Sequence, residues 1–388
     1  MSNYISANNG NKNLMQLFKP NTSGLYGPNS NYTQNNQDIS QLFEKKLTSP
    51  TTVLPTGFST NTLDLNQQFM DINYNGPISV TFNQGYYSLD TITFNNVLYQ
   101  ILTVKGTITN PNEYNGGQGS EVYVDILANI NTTINFILIG GGAGGGAGAT
   151  SDGSNNGGAA GGAGGGYAVG SFVFASGTTA KVNGGLGGLG GYYGGGQGGG
   201  QISAGGGGSK SKIEITNGPD IGKNIIVSAG TNNNGAGLYN GAPIGTNNWC
   251  SKTLGGNMIS NTISATLSLS GNLFPGGNGG TGCNNNGDSA DASGINASQI
   301  SPIPYLGVSV YAGGGGGGAT NKQTSIQPSP GGLPSGGVGG NFGNGGNAPI
   351  TVSSIPAYGG GGGGASWGAS TGDGGNGQAG VSILWWTY

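Results

Sequence analysis

The sequence predicts a mainly β protein whose larger part is a bundle of extended glycine-rich helices, with a short helical arm at the N-terminus and little other α-helix. Three observations carry that expectation. Glycine makes up 88 of 388 residues and is unevenly placed, with 10 before position 140 and 78 from there on. Two runs of six glycines are near copies, Tyr311-Ala-(Gly)6-Ala319-Thr320 and Tyr358-(Gly)6-Ala365-Ser366. Several short segments between 76 and 139 alternate apolar and polar residues with period two, as half-buried strands do.

Composition removes most other classes. Charged residues are 6% of the chain, against roughly 25% in an ordinary globular domain. Every basic residue is a lysine, there is no histidine, and the net charge is −3. Nucleic-acid affinity rests on neutralising phosphates, and recruitment to an anionic membrane rests on a polybasic cluster; neither footprint is present. Collagen needs strict Gly-X-Y with abundant proline, and proline numbers only 16. Disorder goes with high net charge and few aromatics, whereas this chain holds 17 tyrosines, 11 phenylalanines and 4 tryptophans. An ordered, uncharged, glycine-dense class remains.

The start, Met1-Ser-Asn-Tyr-Ile-Ser-Ala-Asn-Asn-Gly10, has neither a basic n-region nor an apolar h-region, so cytoplasmic synthesis without a signal peptide is expected. No window reaches the length of uninterrupted apolar residues that a spanning helix needs, so no membrane insertion is expected. Cys250 and Cys283 are too few for a disulfide framework; one bridge and two free thiols both fit.

Three segments divide the chain. Residues 1–75 form an Asn/Gln-rich arm with a loose repeat, in which Asn13-Leu-Met-Gln-Leu-Phe18 returns as Asp38-Ile-Ser-Gln-Leu-Phe43 and as Asp64-Leu-Asn-Gln-Gln-Phe69. The first two units place apolar residues at i, i+3 and i+4, one amphipathic turn of helix, with an Asn or Asp suited to cap each. Pro20, Pro50 and Gly76 keep such helices brief. They read as docking elements on an arm or as short helices lying on the parent domain. Residues 76–139 read as a small β module. Ile78–Phe82, Thr91–Phe94, Ile101–Val104 and Glu121–Ile126 alternate wholly or in part, while Asn135-Phe-Ile-Leu-Ile139 is a continuous apolar run suited to a strand buried on both faces.

Residues 140–388 form the glycine-rich body, with tracts at 140–148, 157–166, 184–208, 276–282, 313–318, 331–346 and 359–364. Six glycines do not make a stable α-helix, because each costs about 1 kcal/mol relative to alanine. The extended left-handed polyproline-type helix is open to them, at three residues per turn and without internal hydrogen bonds, so that six residues span about 19 Å. Every N–H and C=O then points outward and needs a partner in a neighbour. Only a dense hydrogen-bonded array offsets the cost of ordering glycine, on the order of 1–2 kcal/mol per residue. A helix surrounded on all sides has no room for side chains, which makes Gly313–Gly318 and Gly359–Gly364 the expected central tracts. An edge helix spares one face in three, and Leu186, Leu189 and Tyr192 lie on such a stripe.

Three strings together resemble a known family. They are Phe136-Ile-Leu-Ile-Gly-Gly-Gly-Ala-Gly-Gly-Gly146, then Gly164-Gly-Gly-Tyr-Ala-Val-Gly-Ser-Phe-Val-Phe174, then Ala180-Lys-Val-Asn-Gly-Gly-Leu-Gly-Gly-Leu-Gly190. Their order resembles the glycine-rich domains of phage tail-fibre adhesins and related viral surface proteins. The close, Gly374-Gly-Asn-Gly-Gln-Ala-Gly-Val-Ser-Ile-Leu-Trp-Trp-Thr-Tyr388, is similar to that family's glycine tract and terminal apolar strand. The resemblance covers roughly 121–388. It implies a polyglycine-II helix bundle, as in T-even-type phage adhesins and the glycine-rich domain of anaplastic lymphoma kinase-type receptors. The Asn-rich arm also resembles proteins of AT-rich giant viruses. These resemblances imply a fibre- or tip-like structural protein on a virion surface, joined to its particle by the arm and meeting a host glycan or protein through its loops, as a homo-oligomer or alone.

Enzyme chemistry is not expected. Without histidine there is no Ser-His-Asp or Cys-His pair, and two cysteines do not build a structural zinc site. The Gly-X-Gly-X-X-Gly matches open no helix with an acidic residue at dinucleotide-binding distance, and Gly208-Ser-Lys reverses the P-loop order. Asp288 and Asp291 share an Asn-rich segment where a weak cation site or a solvated loop both fit. No cofactor and no metal are therefore expected. Aromatics between the tracts are the candidate receptor contacts, since such rings anchor interfaces and stack on sugars. They are Tyr192, Tyr193, Tyr239, Trp249, Tyr305, Phe342 and Trp367; each also fits a role as a lid on the lattice edge. Two further readings compete: a purely architectural virion or filament component, and an ice-binding protein, for which the period-three threonine stripe is missing.

Overall fold

The computed structural model describes residues 76–82, 86–106, 123–147, 159–194, 201–202, 205–231, 254–270, 294–317, 330–340, 344–365 and 372–388. The helical arm expected over 1–75 lies outside them, as do Cys250, Cys283, Asp288, Asp291 and the tract at 276–282. The chain divides into two units after Ser79; apart from a first strand that spans this point, the sheets and tracts belong to the second, Val80–Tyr388.

The described residues are mainly β-sheet, with no helix among them. One six-stranded sheet has the order β1 (Ile78–Phe82), β4 (Tyr123–Ala128), β7 (Thr179–Asn183), β10 (Ser211–Asn217), β11 (Asn224–Val227), β12 (Met258–Asn261). The other has the order β13 (Thr266–Ser270), β6 (Tyr167–Phe174), β5 (Thr132–Ile139), β18 (Val381–Thr387), β3 (Val97–Lys105), β2 (Tyr86–Phe94). They face each other where β7, β10 and β11 meet β3, β5 and β18. Alternation decides what lies between them. Val124, Ile126, Val182 and Ile213 from the first sheet, and Leu102, Val104, Phe136, Leu138 and Leu384 from the second, are all buried. Trp386 is fully buried and donates its indole N–H to Gln100 Oε1 at 3.0 Å, as a buried indole requires.

A smaller sheet, in the order β14 (Ile303–Tyr305), β15 (Val308–Ala312), β17 (Ile355–Tyr358), β16 (Thr351–Val352), packs on the outer face of the second sheet. There Ile303, Val310 and Ala312 join Ile101, Ile137, Ile139, Val381 and Ile383 in a second apolar cluster. β5 and β18 are thus covered on both faces, which is why Phe136–Ile139 reads as an unbroken apolar run. The last two-stranded piece pairs β8 (Tyr193–Gly194) with β9 (Gln201–Ile202).

The composition step at 140 is not a structural boundary. β18 pairs with β3 and β5, and β7 lies between β4 and β10, so strands from 76–139 and from 140–388 share both sheets. Glycine rises at 140 because the chain leaves the sandwich there; it returns at Tyr167 and leaves again at Gly184. The expected division into a β module and a separate glycine body is therefore replaced by a repeated path, strand to tract and tract to strand. The long runs at 184–208 and 331–346 are likewise not single tracts. The first holds two tracts, 184–191 and 205–209, on either side of the β8–β9 pair, and the second holds pieces at 330–333, 336–340 and 344–348.

Candidate functional site: the glycine tracts and the ends of the fold

The tracts are held by backbone hydrogen bonds of 2.7 to 3.1 Å that run from one tract to another. Residues 140–147 show the rule. Gly140, Ala143 and Gly146 donate to Gly166, Ala163 and Ala160; Gly141 and Gly144 to Ser209 and Gly206; Gly142 and Gly145 to Gln378 and Gly375. Successive N–H groups thus rotate among three neighbours, and partners along each neighbour step by three. Carbonyls of the same tract accept from Gly188 and Gly191, from Gly362 and Ala365, and from Gly230, which adds three more neighbours. The tract at 359–365 is also bonded to six: 140–147, 313–317, 344–348, 159–166, 372–380 and 336–340. The tract at 313–317 touches five among the described residues: 159–166, 294–297, 330–333, 336–340 and 359–365.

The duplicated six-glycine motifs lie side by side. β15 and β17 pair in parallel, Tyr311 with Ala357 and Ala312 with Tyr358, and their tracts continue that pairing through Gly361 to Gly314 and Gly364 to Gly317. At most glycines a methyl group has no room. A Cβ on Gly316 would lie 2.0 Å from the Gly362 carbonyl oxygen, and one on Gly142 would lie 1.9 Å from that of Gly360. Side chains are not wholly excluded, however. Ala143, Ala160 and Ala163 are fully buried within bonded tracts, so the expectation that a surrounded tract carries none is too strict.

Where tracts run out of backbone partners, asparagine supplies them. Asn376 Oδ1 accepts from Gly190 N at 2.8 Å, Asn347 Oδ1 from Asn376 N at 2.8 Å, and Asn344 Oδ1 from Asp373 N at 2.9 Å. Asn344 and Asn347 stand three apart, as do Asp373 and Asn376, in step with the bonding period. At the junction with the sandwich, hydroxyls take the same part. Ser211 Oγ accepts from Gly185 N at 2.7 Å and donates to Ile139 O at 2.6 Å, and Ser382 Oγ donates to Asn183 O at 2.6 Å. The composition reading missed these residues; asparagine at period three among glycines is the signal that marks them.

Of the sequence-predicted contact residues, Tyr239, Trp249, Phe342 and Trp367 lie outside the described residues. Tyr193 is in β8, in register with Ile202. Tyr192 is 48% exposed and ends the stripe in which Leu186 and Leu189 are buried. That stripe is on a tract bonded to three others among the described residues: 140–147, 205–209 and 372–380. Tyr305 is apart from these, at the β14–β15 turn, away from the tracts. Its ring centroid is 5.6 Å from that of Trp385, with the planes at 38°. Burial, then Tyr358, then Asp90 raise its hydroxyl pKa above the ordinary tyrosine value, so the hydroxyl stays a donor at neutral pH.

Charge is gathered on one sheet. Asp125, Lys181 and Glu214 are cross-strand partners on β4, β7 and β10, Lys212 pairs with Glu214 at 3.4 Å, and the Lys181 ammonium sits 4.3 Å from the Tyr123 ring centroid. Among the described residues no group of three or more His, Cys, Asp or Glu is placed to hold a metal ion. No helix among them is long and apolar enough to cross a membrane. No protein-family model matches the chain, and no curated protein matches it.

Proposed function

We propose that this chain is a fibre- or tip-like structural protein of a virion surface whose glycine tracts form a polyglycine-II bundle, and that it attaches to a host through the segments joining the tracts. The observation that carries the reading is the sixfold bonding of tracts 140–147 and 359–365, whose period-three rotation of donors matches a helix of three residues per turn. Such a scaffold spends its backbone on itself and has almost no side chains with which to recognise anything. Recognition then falls to the connecting segments, as on other rigid scaffolds: chiefly 231–270, 284–311 and 320–335, with Tyr239, Trp249 and Tyr305 for stacking. The partner is a host-surface glycan or protein, and the N-terminal arm joins the chain to its particle.

With so little charge the attachment depends little on salt, unlike association steered by electrostatics. The test is to graft these segments onto a related glycine-rich protein and score attachment to cells of each host. Attachment that follows the grafted segments supports the reading; attachment that follows the scaffold removes it.

One observation favours a purely architectural role instead. Ile295, Leu333 and Val338 are 44%, 55% and 51% exposed on tracts at the margin of the bundle, and exposed aliphatics on a regular surface suit side-by-side assembly. Immuno-electron microscopy of intact particles separates the two, because an adhesin is displayed at a tip and an architectural component is distributed through a shell or filament.

A further inference from the structure

The four-stranded sheet covers the second sheet's outer face only next to the tracts. At the far end that face is partly open. Asp90, Ile101, Trp385 and Asn135 are cross-strand partners in one row, and Ile92, Tyr99 and Thr387 form the next row outward. Ile101 is buried, whereas Ile92, Tyr99 and Trp385 are half-buried and Asp90 and Thr387 are exposed. The β14–β15 turn stands beside these rows. Tyr305 leans on Trp385, and Gly307, at φ +80°, comes so near that a Cβ there would lie 3.1 Å from Phe94 Cε2. Four half-buried rings, Phe94, Tyr99, Tyr305 and Trp385, therefore lie at the end of the sheet that carries the exposed Asp90, whose charge acts on the Tyr305 hydroxyl. Ser88 Oγ donates to Asp90 Oδ2 at 2.9 Å and holds it in place.

We infer that this aromatic notch is a binding site for a neutral saccharide. A pyranose has an apolar face of C–H groups and a rim of hydroxyls. The notch offers the counterpart of each: ring faces for stacking and a fixed carboxylate to accept hydroxyl protons in charge-assisted hydrogen bonds. The Tyr305 hydroxyl, kept protonated by burial, adds a donor. An anionic ligand would meet Asp90 unfavourably, and the Lys105 ammonium, 6.0 Å from the Tyr358 ring centroid, lies at the tract-proximal end of β3. The notch shares Tyr305 with the segment 284–311 proposed for attachment and to that extent rests on that reading; Asp90, Tyr99 and Trp385 lie outside the grafted segments, so a variant at Asp90 tests the notch alone.

The test titrates the full chain with methyl glycosides of neutral hexoses and N-acetylhexosamines, up to about 10 mM, the range of weak single-site binding. Saturation-transfer NMR and calorimetry report binding, and a melting curve accompanies each variant. At least one glycoside is expected to bind. Asp90→Asn, an exposed and nearly isosteric change, should weaken it about tenfold through loss of the charged acceptor without moving the melting curve. Tyr305→Ala should abolish binding in a protein that still melts cooperatively. The inference is overturned if no glycoside binds, if both variants bind as the parent does, or if a lysine-rich or aromatic peptide binds while every glycoside fails.

Discussion

Replacing Gly362 by alanine adds one methyl group where two tracts meet. The new Cβ would stand 2.0 Å from the carbonyl oxygen of Gly375 and 2.5 Å from its carbon, so tract 372–380 must retreat by more than an ångström. That tract is not free to move. Gly375 accepts from Gly145 and donates to Gly363, and Gly374, Gly377 and Gly380 bond to Gly191, Gly188 and Gly185. Retreat breaks at least the two bonds of Gly375. Each is worth about 1 kcal/mol net, and each buried group left without a partner adds about 1–3 kcal/mol. Two bonds and at least two such groups give an expected loss of about 4–8 kcal/mol, a large part of the 5–15 kcal/mol that typically holds a domain together. Gly207→Ala is the matched control, since its Cβ meets nothing within 4 Å and the change reduces unfolded-state entropy, a gain of about 0.4–1 kcal/mol. Chemical and thermal denaturation of the two variants reads the difference, with the Gly362 variant melting about 10 °C lower or failing to accumulate. Equal stability of the two proteins would refute the claim that backbone contact between tracts sets the glycine requirement.

Three further outcomes are expected. Asn376→Ala removes the acceptor for Gly190 N and should cost about 1–3 kcal/mol, seen as a lower denaturation midpoint with an unchanged slope. Tyr167, Tyr305 and Tyr358 have hydroxyl pKa values raised by burial above the ordinary 10.0; because the native state holds these protons more tightly, their stabilisation is complete below pH 10 and is lost as pH rises through the raised values. The share of tyrosinate absorbance that belongs to these three residues should therefore appear only with unfolding at alkaline pH, whereas full ionisation of every tyrosine in a protein that stays folded would contradict the burial. Deleting residues 1–75 should leave the melting temperature of the second unit unchanged and, on the proposed function, abolish assembly onto the particle; a large drop on deletion would make the arm part of the fold.

Much of this architecture is legible in the residues, for reasons that also mark where legibility stops. The runs 101–104 and 135–139 and the terminal strand can be read because alternating or continuous apolar side chains report which faces are buried. The duplicated six-glycine motif can be read as structured because its aromatic start and small-residue stop recur, and the two copies prove to be parallel neighbours. The reversals inside 184–208 and 331–346 are hidden, because glycine serves equally well in a tract and in a turn and leaves no letter to tell them apart. The strands β10 to β17 are two to seven residues long, so local pattern does not reveal which of them share sheets with residues before 140. The notch around Tyr305 is built from β2, β3, β18 and the β14–β15 turn, and only pairing across hundreds of positions brings those residues together.

The continuity of strand and tract has a mechanical consequence. β5 passes into 140–147, β15 into 313–317, and 372–380 into β18 with no intervening residue, while β17 enters 359–365 through Gly359 at φ +69°. A pull applied at the free ends of the tracts therefore runs lengthwise along backbones that are cross-linked to their neighbours at regular intervals. Yielding requires many bonds to slip together in shear, whereas a load applied across a strand end would peel them apart singly. A unit built this way resists stretching along its tracts and passes tension from them into the strands through continuous, cross-linked backbone.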